Sequence, residues 1–255
     1  MTQPSFTPKT LSFLRSLKRN NDREWFRAHK DEYDRYARGP MIRLIEMLAH
    51  DFPAIAPGLV ADPKISLFRP YRDTRFSADK TPIKTHVAAR FPARSFARGE
   101  GAGLYVHIGL DGVWAGGGIY MPSPADLAAI RARIAASYPR FQKVVTAAPF
   151  RKAVGELTGE RLTRVPRGYA ADHPAAHYLQ FKQFIGGAEW KASFATSRTF
   201  YRELCAVFTA VAPLVSFLNT ALREANTATQ PITVETPRRG LPQAAAHPRP
   251  PAPMW

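Results

Sequence analysis

GLYVHIGLDGVWAGGGIYM, running from Gly103 to Met121, reads as two β-strands joined by a tight turn. Gly103 to Leu110 and Val113 to Met121 each carry the aromatic and β-branched residues of a strand. Between them Asp111-Gly112 is a strong hairpin signal, since Asp-Gly readily supplies the positive φ angles of a two-residue turn. Working outward, a period of two also fits Thr85 to Phe91. It fits the stretch from Lys64 as well, where Ile65, Leu67 and Arg69 alternate with Ser66, Phe68 and Pro70. A further strand is expected over Gln180 to Ile185. The centre of the chain is thus a mainly antiparallel sheet.

Helices flank this centre. Leu11, Leu14 and Leu17 have helical spacing within Thr10 to Arg19, and Asn20-Asn21-Asp22 breaks that helix. Asn21 with Glu24 resembles a capping box for a second helix over Asp22 to Ala37, which Gly39-Pro40 should end. Met41 to Phe52 then forms a third, with Ile42, Ile45, Leu48 and Ala49 inward. Ser123 and Pro124 open another helix as cap and first residue, with Leu127, Ile130 and Ile134 facing inward. The last helix is expected from Ser197 to Ala225. Leu204 to Leu222 carries no charge, yet Thr209, Pro213, Ser216 and Thr220 share one face opposite Leu204, Val207, Phe208, Val211, Leu214, Val215 and Leu218. That is an amphipathic core helix rather than a membrane span, bent or split at Pro213.

The expected architecture is α+β: a central mainly antiparallel sheet flanked by helices, with N-terminal helices and a long C-terminal helix. One domain should span residues 10–225, after an N-terminal extension at 1–9. Seven prolines among the last thirty residues predict an extended, disordered tail from 226 to 255.

With 36 Lys and Arg against 20 Asp and Glu, the formal charge is +16, which attracts anions, nucleic acid or an acidic membrane. The one cysteine, Cys205, excludes an intrachain disulfide and a cysteine-rich zinc site. Met1 to Lys18 has no apolar run of secretory type, so a cytoplasmic location is expected. His86 and His107 sit on expected strands without partners at ligand spacing, so neither a metal site nor a cofactor is expected. Gly116-Gly117-Gly118 lacks the Lys-Ser or Lys-Thr of a phosphate-binding loop, and close strand packing is the simpler reading.

The densest chemistry lies between Arg69 and Arg98, where eight basic residues face two acidic ones. Arg69, Arg72, Arg75, Lys80 and Lys84 are candidate ligands for phosphate or carboxylate, because guanidinium forks match two oxygens and Lys adds point charges. Asp73 reads as a pin for the guanidinium groups. Asp73 and His86 are the residues of the run that could carry a proton. The structural alternative is a lattice of ion pairs tying the run to Glu24, Asp22 or Asp172.

Arg69, Arg72, Asp73, Arg75, Phe76 and Lys80 together resemble the RxxRDxRFxxxKxxY signature of domain-of-unknown-function family 2461. Ile83 stands where that signature has Tyr. Asn20 to Phe26, Lys80 to His86, Gly116 to Tyr120 with Pro122, and Pro166 to Tyr169 with Asp172-His173-Pro174 are similar to further family segments. The resemblance covers about Thr10 to Leu222 and implies no activity.

Three readings of function follow. In the first, the basic motif binds a phosphate- or carboxylate-bearing small molecule, as a binding protein or an enzyme. In the second, the same charge, with Phe68, Tyr71, Phe76, Phe91 and Phe96, binds nucleic acid. In the third, the motif only knits the core or serves protein interaction. A concave site favours the first, and an exposed basic stripe through Arg90, Arg94 and Arg98 the second.

Overall fold

A computed structural model describes residues 6–75, 78–97 and 99–229. The proposed disordered tail lies outside the described residues from 230 onward. The fold is α+β. The N-terminal part is helical: α1 (Pro8–Arg19), α2 (Arg23–Ala28), α3 (Lys30–Tyr33), a π-turn (Asp34–Arg38), α4 (Gly39–Ile55) and the short α5 (Pro63–Ser66). Four strands follow the order of the chain across one antiparallel sheet: β1 (His86–Phe91), β2 (Gly103–Gly109), β3 (Val113–Ile119) and β4 (Phe184–Trp190). Between β3 and β4 lie α6 (Pro124–Ala136), α7 (Tyr138–Val145), α8 (Ala148–Val154) and α9 (Ala176–Leu179), and α10 (Phe200–Thr229) ends the fold.

Strand alternation divides the sheet into two unlike faces. Val87, Ala89 and Phe91, then Leu104, Val106 and Ile108, then Val113 and Ala115 are buried on one face, where α10 packs along β3. The helix buries its expected apolar face, and Thr209, Pro213 and Ser216 stay exposed. Alpha10 is long and apolar enough to cross a membrane by composition, but 61% of its most apolar window is buried within this globular domain. Pro213 does not split it. The other sheet face carries His86, Arg90, Tyr105, His107, Trp114 and Glu189.

Several local expectations change. Asp22, not Asn21, caps α2, its Oδ1 accepting from Trp25 N at 2.8 Å. Asn21 is occupied elsewhere, as described below. Gly39-Pro40 does not end a helix: Pro40 sits in the first turn of α4, where its missing N–H costs nothing, and the π-turn joins the two helical stretches. Ala49 is exposed, and Met41 and Leu44 take inward positions instead. Pro63 to Ser66 is a helical turn rather than a strand, because the Asp62 side chain caps it at Lys64 N. The last strand begins at Phe184 and runs to Trp190, later than expected. At the β2–β3 turn neither Asp111 nor Gly112 adopts positive φ; a Cβ on Gly112 would lie 2.8 Å from the Trp190 carbonyl, so close approach of β4 is what requires glycine there. Phe6, in the stretch expected as an N-terminal extension, is buried, its ring 6.0 Å from that of Phe200.

Candidate functional site

The exposed sheet face forms the floor of a large cleft. Trp114 lies across β4, where a Cβ on Gly187 would come within 2.4 Å of its indole and one on Gly116 within 2.8 Å. Two glycines side by side, paired in register, therefore let the ring lie flat on the sheet. Tyr105 follows at 5.8 Å between ring centroids, His107 lies 5.7 Å from Tyr105, and His86 5.5 Å from His107. Burial pushes the Tyr105 phenol up to about 12 and lowers His107, so both are uncharged at neutral pH. His86 is held down at about 4, by burial first and then by His107, Lys84 and Arg72.

Above this floor the cleft encloses about 1320 Å³. Tyr33 and Arg38 form part of one wall. They are five residues apart, and the π-turn, with Gly39 N–H donating to Asp34 O, brings both to the cleft. Segment 63–70 supplies Lys64, Ile65, Phe68 and Arg69. Arg90 rises from the floor and donates to Glu100 O at 2.9 Å and Gly101 O at 2.8 Å, holding the loop that borders the mouth. Opposite, Tyr120 and Met121 are 69% and 73% exposed, and Met121 has φ 55°, a strained setting for a non-glycine residue. Ile65, Phe68, Tyr120 and Met121 thus make an exposed apolar rim around an aromatic floor.

The basic motif is a hairpin-like excursion beside this cleft. Arg72 N donates to Pro82 O, and Lys84 N to Pro70 O, so 70–72 run antiparallel to 82–84. Of the five expected ligand residues, Arg69 lines the cleft. Arg72 pairs with Asp79 and donates to Thr81, and Arg75 pairs with Asp73 through Nε and Nη2 at 3.0 and 2.7 Å. The Arg75 contact pulls the Asp73 carboxyl down to about 2. Lys80 donates to Thr74 O, and Lys84 donates to Arg69 O while sitting 5.0 Å over the Phe68 ring. The carboxylate partners belong to the loop itself, not to Asp22, Glu24 or Asp172. Among the described residues, neither Arg69 nor Lys64 makes an ion pair. His86 lies next to His107 on the same sheet face but is not among the residues that line the cleft, while Asp73 lies on the loop.

Of the aromatic residues expected to stack on bases, Phe91 is buried in the core and Phe76 lies outside the described residues, as does Arg98. Sequence reasoning missed Tyr33, Arg38, Tyr105 and Trp114. The hairpin offered a signal for two of them, since its register sets Tyr105 opposite Gly116 and His107 opposite Trp114. Nothing in the sequence marks the π-turn.

Chemically, the cleft offers flat faces for stacking, uncharged phenol and imidazole groups for hydrogen bonding, and two cations, Arg69 and Lys64, that make no ion pair among the described residues. A family model described as "Conserved hypothetical protein (DUF2461)" matches residues 9–217. No curated protein and no solved structure matches the chain.

Proposed function

The chain belongs to domain-of-unknown-function family 2461, and from its geometry we propose that it binds a small molecule with a flat or apolar body and an anionic group. The body rests on Tyr105 and Trp114 inside the cleft. The phosphate or carboxylate is met by Arg69 and Lys64, with Arg38 behind them. Arg72, Arg75, Lys80 and Lys84 shape the loop and add positive potential at the mouth rather than gripping the ligand. One observation carries this reading: an aromatic sheet floor beneath a cleft of about 1320 Å³, with Arg69, which makes no ion pair among the described residues, in its lining. The cleft exceeds the few hundred to about 1,000 Å³ usual for small-ligand sites, but it shares their make-up, mostly apolar with a few polar groups. A cytoplasmic setting suits the single half-buried thiol of Cys205.

Nucleic acid is the second reading, supported by the +16 charge. It is the weaker one, because Arg90 turns inward to two carbonyls and Phe91 is unavailable for stacking.

Melting curves with nucleoside phosphates and aromatic carboxylates test the proposal. A ligand at a hundred times its Kd should raise Tm by roughly 5–10 °C. Arg69→Ala should abolish most of that rise and Arg75→Ala should not. No shift from either class, together with steeply salt-dependent DNA or RNA binding, would transfer the assignment to nucleic acid.

A further inference from the structure

A second cavity, of about 80 Å³, lies beyond the β4 edge and shares no lining residue with the cleft. Its walls come from α7, α8, α9 and the strand-like segment 156–162. Thr158 N and O bond to Ile185, Arg161 bridges to Phe181, and Leu162 N donates to Gln180 O, so that segment is anchored along its length. Anchoring matters, because it fixes where the Arg161 side chain starts. The guanidinium then lies 4.3 Å from the Phe181 ring centroid, a stacking contact that sets its orientation. Its Nη1 is 3.5 Å from His177 Nδ1.

Three further groups face the same space. Arg151 comes from the last turn of α8, and Tyr178 stands beside His177 on α9. Arg151, Arg161 and Glu156 all act electrostatically on the Tyr178 phenol. Glu156 is the one carboxylate among the described lining residues, and it forms no ion pair with either arginine. The neighbouring Glu160 is drawn to Lys182 at 3.4 Å. Two guanidinium groups, an imidazole and a phenol thus share a cavity larger than the roughly 30 Å³ of one water. Against these donors stands one carboxylate of the described lining, Glu156, whose charge acts on His177 and Tyr178.

We propose that this cavity is a second binding site, for a single phosphate-type oxyanion, held by Arg151 and Arg161 with His177 and Tyr178 completing its donors. Guanidinium forks grip two oxygens of a tetrahedral anion at once, and the remaining oxygens fall to the ring N–H and the phenol O–H. The site is independent of the cleft ligand.

Histidine ring proton NMR with inorganic phosphate, at ionic strength held constant with chloride, provides the test. The His177 signal should move along a saturating curve, and sulfate should compete. Arg161→Gln should weaken binding about tenfold or more, the loss expected for one charge-assisted pair. Arg151→Gln, which leaves the Phe181 stack intact, should weaken it as well, and Arg69→Ala should leave it unchanged. A His177 signal indifferent to phosphate overturns the site. So does equal phosphate binding by folded Arg161→Gln and Arg151→Gln proteins.

Discussion

The Asn21 side chain closes a two-way clamp on the backbone of Ile83: its Nδ2 donates to Ile83 O at 2.8 Å, and Ile83 N donates to its Oδ1 at 3.0 Å. Asn219 of α10 does the same to Ala102, with distances of 3.0 and 2.8 Å. In both, a carboxamide imitates a neighbouring strand and satisfies an N–H and a C=O at once. The first clamp ties the N-terminal helices to the base of the basic loop. Asn21→Ala should therefore cost roughly 1–3 kcal/mol, as expected when partly buried backbone groups lose their partners. Urea unfolding measures it, and a loss within error would show that water replaces the amide.

Beta3 and β4 approach too closely for side chains at several points. Gly118 has φ 133°, and a Cβ there would lie 1.9 Å from Phe184 O. Gly118→Ala should leave little folded, soluble protein. At Gly187 the obstacle is the Trp114 indole rather than backbone alone, so Gly187→Ala should fold with a loss of about 1–3 kcal/mol and a displaced ring. Near-ultraviolet circular dichroism reports the displacement, and ligand binding in the cleft should weaken with it.

Acid should weaken the fold through the two histidines of this sheet face. His86, at about 4, stays neutral in the folded protein well below the ordinary 6.5, and His107 is lowered in the same direction. The unfolded chain therefore takes up more protons as pH drops below about 6.5, and stability must fall through that window until His86 charges near 4. His86→Gln should flatten the decline between these limits. Urea midpoints measured from pH 7 to about 4 give both slopes; parallel curves for the two proteins would contradict the assignment.

Cys205 should be a sluggish nucleophile. Burial is the main cause that pushes its thiol up to about 11 from an ordinary 9.0, and the nearby Asp51 adds to it. Two units correspond to about a hundredfold less thiolate at neutral pH. A disulfide reagent such as Ellman's should thus react with the native protein roughly a hundred times more slowly than with the unfolded chain. Comparable rates would mean an accessible, unperturbed thiol.

Much of the architecture was legible because it rests on local chemistry. Ser123 and Pro124 start α6 as expected, with the Ser123 oxygen accepting from Asp126 N. The β2–β3 hairpin and the buried face of α10 follow from periodicity. Beta4 was harder, since Gly186 and Gly187 lower its strand signal and its place depends on pairing with the equally glycine-rich β3. The stretch 63–70 alternated like a strand, yet the Asp62 cap and Pro63 turned its beginning into a helix.

By itself the sequence determined the fold class, the family resemblance, the excess of positive charge and the unusual density of arginine between positions 69 and 98. Only tertiary structure decided which of those cations meet a cleft. Arg72 and Arg75 find carboxylates a few residues away, whereas Arg69 lines a cleft whose floor is built from the four strands of the sheet. The reason is physical: charge is a property of composition, but whether a charge is neutralised depends on distances that strand register and a π-turn set between residues far apart in the chain.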